Sequence, residues 1–178
     1  MYNFNYQNKK VDNDIQTLEL MDRYYETFIP EKYGKKIKKI CRVSYEEYPR
    51  LQKAGIDVAI QFEDNSILKI DEKIRYTHRN DILLETWSNY ENKIAGWTVD
   101  ETKETDIIFY VNNFIHVLDF KRLLKLYKEN EYVWRQEYGQ ISTYNENYGI
   151  FYTTIGTPIP IEQLGDIHYS DFIKYRNL

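Results

Sequence analysis

Residues 55–75 read GIDVAIQFEDNSILKIDEKIR. Ile56, Val58, Ile60 and Phe62 alternate with Asp57, Ala59 and Gln61. After Glu63, Asp64, Asn65 and Ser66 the alternation resumes, with Leu68, Ile70 and Ile74 on one face and Lys69, Asp71, Lys73 and Arg75 on the other. Period-two patterning on both sides of a polar turn predicts a β-hairpin. Side chains two apart on a strand share a face. Asp71 and Lys73 therefore point the same way, and Asp57 lies on the non-apolar face of its own strand. Pairing the two strands brings two carboxylates and one ammonium to one side of a sheet.

Neighbouring carboxylates repel, so they share a proton or hold a cation. Mg2+ takes hard oxygen ligands and is typically held by one or two carboxylates, with water and phosphate completing its shell. Such an ion polarises a phosphoryl oxygen and supplies hydroxide near neutral pH. An ammonium two residues from a ligand can orient that hydroxide or offset developing charge. Asp57, Asp71 and Lys73 thus suit phosphodiester hydrolysis with Mg2+ (or Mn2+) as cofactor. The same charges also suit the solvated face of a half-exposed strand, where cross-strand ion pairs are worth about a few tenths of a kcal/mol. Glu72 is the irregular position, since it falls on the apolar parity of Ile70 and Ile74. Either the strand leaves the core there or a bulge shifts the register; with a bulge, Glu72 and not Asp71 is the metal ligand.

Asp57, thirteen intervening residues and then Asp71-Glu72-Lys73 resemble the core of the PD-(D/E)XK nuclease superfamily. Asp57 stands at the first acid, Asp71 at the second and Lys73 at the lysine, while Gly55-Ile56 stands where the family often has proline. IDEKIR, DILLETWSN and GWTVDETKETDIIFYV extend the resemblance over roughly residues 50–126, toward phage-type members of the superfamily. It implies a restriction-endonuclease-like α/β fold, with a mixed, largely antiparallel central sheet flanked by helices. It also implies a metal-dependent DNA nuclease.

Outward from this stretch, Ile15, Leu18, Met21, Tyr25 and Phe28 recur at helical spacing after a cap at Asp12, Asn13 or Asp14. The helix is expected over 14–28, ending before Pro30, with residues 1–13 a loose arm. The resemblance allows Glu19 or Glu26 to lend a carboxylate to the metal. Residues 32–42, KYGKKIKKICR, form a basic run, and Lys35, Lys36, Lys38 and Lys39 are candidates to grip phosphates. A solvated face is the more common fate of such a run. Residues 45–54 are expected to be a short helical or loop passage broken at Pro49. Arg75, His78 and Arg79 follow the acids closely and are candidates to touch nucleic acid.

Residues 82–87, ILLETW, predict a third strand with Glu85 inside it. A carboxylate in an apolar strand is costly unless paired or metal-bound. On a strand beside Asp71, Glu85 is a third acid of the site; a lysine partner is the alternative. Lys103 lies in a polar loop from which it can approach DNA. Residues 106–111 and 114–118 predict a second hairpin, with His116 a structural residue of its second strand. Asp119 caps a helix whose apolar stripe is Phe120, Leu123, Leu124 and Tyr127. Residues 129–148 lack a clear period, residues 148–155 predict a last strand, and a short helix is expected to end at Leu164.

The chain has 178 residues, 42% hydrophobic and 29% charged, which suits one folded domain over residues 1–178. A net charge of −4 argues against a protein that coats DNA through a global basic field. Cys41 is the only cysteine, which excludes an intramolecular disulfide and a cysteine-rich zinc site and suits a reducing cytoplasm, the host's if the gene is of phage origin. The opening residues carry no apolar signal core, and no apolar run approaches membrane-spanning length.

The expected function is metal-dependent phosphodiester hydrolysis by an Asp57/Asp71/Lys73 site assisted by Glu85. The expected partner is nucleic acid, DNA before RNA, with no membrane; double-strand cutting would call for a homodimer. The alternative is a catalytically inactive protein on a nuclease-like scaffold that binds DNA or a host protein, as an anti-defence factor does.

Overall fold

The computed structural model describes residues 4–75, 80–112, 114–147 and 149–171, and the side chains of 18–75, 80–112, 114–146 and 149–166. The elements run α1 (Phe4–Tyr33), β1 (Ile37–Arg42), α2 (Pro49–Lys53), β2 (Val58–Phe62), β3 (Ile67–Ile74), β4 (Asp81–Asn89), β5 (Ile94–Ala95), β6 (Ile107–Val111), β7 (Ile115–Asp119), α3 (Phe120–Tyr138), β8 (Ile141–Asn147), β9 (Ile150–Pro160), a 3-10 segment (Ile161–Ile167) and β10 (His168–Asp171). The class is mixed α/β, with two largely antiparallel sheets where one was expected. Their strand orders are β1-β2-β3-β6-β7-β10 and β5-β4-β9-β8. The chain divides into two compact units, Met1–Ile40 with Ile60–Ile67, and Cys41–Ala59 with Leu68–Leu178. No described helix is long and apolar enough to cross a membrane.

In the first unit α1 is longer than its periodicity predicted. It begins at Phe4 and runs through Pro30 to Tyr33, where Gly34 takes a left-handed φ of 61°. Proline removes one helical hydrogen bond but does not forbid another turn, and glycine alone accepts that stop without strain. Met21, Tyr24, Tyr25, Phe28 and Ile29 are buried, the stripe that helical spacing selects. The tip of the predicted hairpin also belongs to this unit. Phe62 N–H donates to Ser66 O at 2.9 Å, and Asn65 takes φ 62° in the turn.

The second unit carries β3 from Leu68 onward, β6, β7 and β10, the whole of the second sheet, and α3. β6 lies parallel to β3, Asp71 opposite Ile108 and Lys73 opposite Tyr110. β6 and β7 form the second predicted hairpin, antiparallel, with Phe109 opposite Val117. α3 starts as expected, with the Asp119 carboxylate accepting Arg122 N–H at 2.9 Å. It runs on to Tyr138, because Trp134 adds a buried position to the stripe of Phe120, Leu123 and Tyr127. Ile82 and Leu84 of β4, Ile108 and Tyr110 of β6, and Ile159 of β9 join these helix residues in one buried cluster. Each fully buried side chain of this size contributes about 1.5–3 kcal/mol.

The second sheet was only partly anticipated. β8 lies in the Tyr-rich stretch that lacked a clear period, and it pairs with β9 from Ile141–Gly156 to Asn147–Ile150. β9 continues beyond Gly156 to Pro160. Pro158 and Pro160 face Leu83 and Asp81 of β4 there, beyond the reach of β8. A strand tolerates proline where no neighbour asks for its N–H.

Candidate functional site

Two backbone hydrogen bonds and one from a backbone N–H to a carboxylate, all in the second unit, set Asp57 beside Asp71. Asp57 N–H donates to Ile70 O at 2.9 Å, Asp57 O accepts from Val43 N–H at 2.8 Å, and the Asp57 carboxylate accepts Glu72 N–H through Oδ2 at 2.8 Å. Gln52, one turn into α2, donates from Nε2 to Asp57 Oδ1 at 3.0 Å and to Val43 O at 2.6 Å. The helix that presents Gln52 starts at Pro49, so this proline opens a helix instead of breaking one. Gly55 ends the turn after α2 with φ 73°.

Asp71 is 1% exposed and is gripped by two ammoniums: Lys73 Nζ on Oδ1 and Lys103 Nζ on Oδ2. It also hydrogen-bonds the Asp57 carboxyl. Burial by itself raises the pKa of Asp71, but Lys73 and Lys103 outweigh it and hold the group below its usual value. Asp57 goes the other way. Burial first, then the hydrogen bond and charge of Asp71, push its carboxyl from 3.8 up to about 6. Below about pH 6 the pair therefore holds one proton, on Asp57, with the negative charge on Asp71 beside the lysines.

Because the folded pKa of Asp57 exceeds the unfolded one, the native chain binds the extra proton between pH 3.8 and about 6. The stability this contributes is full below pH 3.8 and is lost as pH climbs through about 6. Allowing for partial screening by solvent, it amounts to about 2 kcal/mol. Urea midpoints in EDTA should fall over that interval for the wild type and stay flatter for Asp57→Asn. Parallel pH profiles would refute a shared proton.

Glu85 reaches the cluster by a different route from the one expected. β4 is not a neighbour of β3: it pairs with β5 and β9 in the second sheet, and the neighbour of β3 is β6. Glu85 nevertheless feels Lys73, Lys103 and Asp71, and its carboxylate accepts Trp97 N–H. Burial leads these influences and raises its pKa. Gly96 makes this possible, since a Cβ there would collide with the Glu85 carbonyl. The turn at 96–98 thus lies directly on β4, with Thr98 N–H on Glu85 O at 3.2 Å.

Glu72 keeps the parity of Ile70, and its carboxylate pairs with Arg42 at 2.9 Å. β3 pairs with β6 without a register shift from Ile70 to Ile74, and the Glu72 N–H donates to the Asp57 carboxylate. Arg75 is paired with Asp81. His78 and Arg79 lie outside the described residues. Lys35, Lys36, Lys38 and Lys39 belong to the first unit. There Lys35 pairs with Asp64 at 2.8 Å and Lys38 donates to Asn65 Oδ1 at 3.1 Å. Lys36 and Lys39 line a groove with Glu26. Glu19 and Glu26 are exposed on α1. His116 is buried against Asn112, with Nε2 and Oδ1 3.1 Å apart, as a structural residue should be.

Lys103 and Gln52 are the site residues that sequence reasoning did not place. Lys103 stood out only as a loop cation, and 31 residues separate it from Asp71. A cleft of about 460 Å3 opens over the cluster, lined by Lys53, Lys73, Arg75, Glu85, Trp97 and Lys103 among others. Lys73 and Lys103, which line it, both hold the buried carboxylate of Asp71. No family model matches the chain, and neither a curated protein nor a solved structure matches it.

Among the described residues, no group of three or more His, Cys, Asp and Glu side chains is placed to hold a metal ion. The Asp57–Asp71 pair is the donor set available, and two hard carboxylates are what Mg2+ commonly takes from a protein. The pair fits a divalent ion by chemistry. Each of its four oxygens, however, already accepts a hydrogen bond: from Gln52, Glu72 N–H, Lys73 and Lys103.

Proposed function

We propose that this chain is a divalent-metal-dependent phosphodiester hydrolase acting on nucleic acid, with DNA as the first substrate to test. The observation that carries the proposal is the contact between Asp57 and Asp71, with the Lys73 ammonium on the second acid. Asp57 and Asp71 would hold the ion, which supplies charge neutralisation at phosphorus and hydroxide near neutral pH. Lys73 stands between Asp71 and the cleft, where it can orient the attacking water and offset charge on the transition state. Glu85 lines the same cleft with its pKa raised by burial, which suits it to carry a proton during the reaction. Lys53 and Arg75 line the cleft as further cations able to meet phosphate oxygens.

An inactive protein on the same scaffold is the alternative, and one observation favours it. Two lysines already satisfy Asp71, so the cluster is electrostatically complete without a metal. Incubation with plasmid, linear and single-stranded DNA and with RNA, in Mg2+, Mn2+ or EDTA, separates the two. Metal-dependent cutting that EDTA abolishes is the expected result. Intact substrates in every metal would leave the inactive scaffold.

A further inference from the structure

The cation already seated on Asp71 Oδ2 comes from a loop, and its seat is built for it. Lys103 lies in the segment 99–105, and its side chain is 9% exposed, less than the 28% of Lys73. Gly55 makes the room. A Cβ added there would run into Lys103 Nζ, and the two carbons before it in that side chain would lie 3.1 Å away. The loop is tied over this notch by Glu104 N–H on Ala54 O at 2.9 Å. Any other residue at Gly55 would be strained at φ 73° as well as obstructive.

The four oxygens of the acid pair differ in how replaceable their donors are. Gln52 is held by Val43 O as well as by Asp57, and Glu72 N–H belongs to the backbone of β3. Neither can withdraw without disturbing an element. Lys73 and Lys103 are flexible arms, and a divalent ion can enter only where one of them retreats. Lys73 rises from a strand paired through Tyr110, so its reach is set by rigid backbone. Lys103 rises from a loop and already lines the open cleft.

We infer that Lys103 is a built-in counter-cation: it occupies Asp71 Oδ2 in the metal-free protein, gives way to a divalent ion, and then presents its ammonium to substrate phosphate in the cleft. This rests on the proposed metal-dependent function and adds a positioning residue outside the Asp57/Asp71/Lys73 motif. No covalent step is involved. The exchange replaces one ion pair by another, and it keeps the buried acids compensated at every stage.

Two measurements on the full chain test it, neither of which reads cleavage. The first is acylation by an amine-reactive ester, followed by peptide mass spectrometry, with and without Mn2+. Lys103 should be protected without the ion and several-fold more reactive with it, while Lys73 changes less. The second is calorimetric titration with Mn2+. Lys103→Met, which keeps the aliphatic stem, should bind the ion about tenfold more tightly and should melt lower than wild type in EDTA. Gly55→Ala, which displaces the ammonium without removing it, should shift affinity in the same direction. Mn2+ binding by the wild type with unchanged Lys103 reactivity, or with no tightening in Lys103→Met, would overturn the inference and leave the hydrolase proposal intact. Absence of Mn2+ binding in both proteins would overturn both.

Discussion

Asp71→Asn is expected to abolish metal-dependent cleavage and to lower stability by about 3–5 kcal/mol, the usual cost of removing one partner of a buried ion pair. The side chain is 1% exposed and balances two ammoniums, of which Lys103 is itself nearly buried. An amide of the same shape leaves both cations without an anion and offers the metal one hard oxygen fewer. Three further effects should accompany the loss. Mn2+ affinity should fall, the pKa of Asp57 should drop because it no longer faces an anion, and the 96–105 region should exchange amide hydrogen faster once Lys103 is released. Urea denaturation in EDTA measures the loss of stability free of metal. A variant as stable as wild type would show that Lys73 and Lys103 are solvated enough to do without Asp71, and the described geometry would then not govern the site.

Lys73→Met separates chemistry from folding. Lys73 is 28% exposed, and Asp71 keeps Lys103 when it is removed, so no buried carboxylate is stranded. Stability should therefore change by about 1 kcal/mol or less, in the range of partly exposed pairs. Cleavage should fall by about 10²–10³-fold, the typical loss when one preorganised group that meets transition-state charge is deleted. Mn2+ affinity should hold or rise, because a positive charge has left the site. The informative readout is single-turnover cleavage at saturating Mn2+. Full activity there would remove Lys73 from the chemistry and reduce it to a counter-ion of Asp71.

The two variants differ because their side chains meet water differently, and that difference marks the limit of what linear pattern conveys. Alternation over 56–62 and 68–74 predicts two strands and a turn, and local hydrogen bonding delivers them at Val58–Phe62 and Ile67–Ile74. The same alternation places Asp71 and Lys73 on one face, where they meet. Asp119 and the stripe after it likewise define the start of α3, since a cap and a 3.6-residue period are short-range properties. The Glu72 ambiguity belonged to this level too, and β3 runs beside β6 without a register shift at that position.

Other features depend on partners distant in sequence. Pro30 looked like a helix end, but packing of Phe28 and Ile29 in the first unit carries the helix past it. The run of polar and tyrosine residues after 139 has no strong period because β8 is an edge strand with little to bury. Glu85 was legible as a costly buried acid, yet its sheet was not, since strand order comes from long-range pairing and not from the strand itself.

By itself, then, the chain's order of residues determined the local elements and the shared face of Asp71 and Lys73, because period and turn chemistry act within a few residues. Only the tertiary structure decided that Gln52, Glu85 and Lys103 converge on those acids, that Lys35 and Lys38 engage the turn of the first unit instead, and that Asp57 keeps a proton up to about pH 6. Burial and charge proximity are properties of folded space, and residues 14, 19 and 32 positions from Asp71 acquire them only when the sheets and the 99–105 loop are in place.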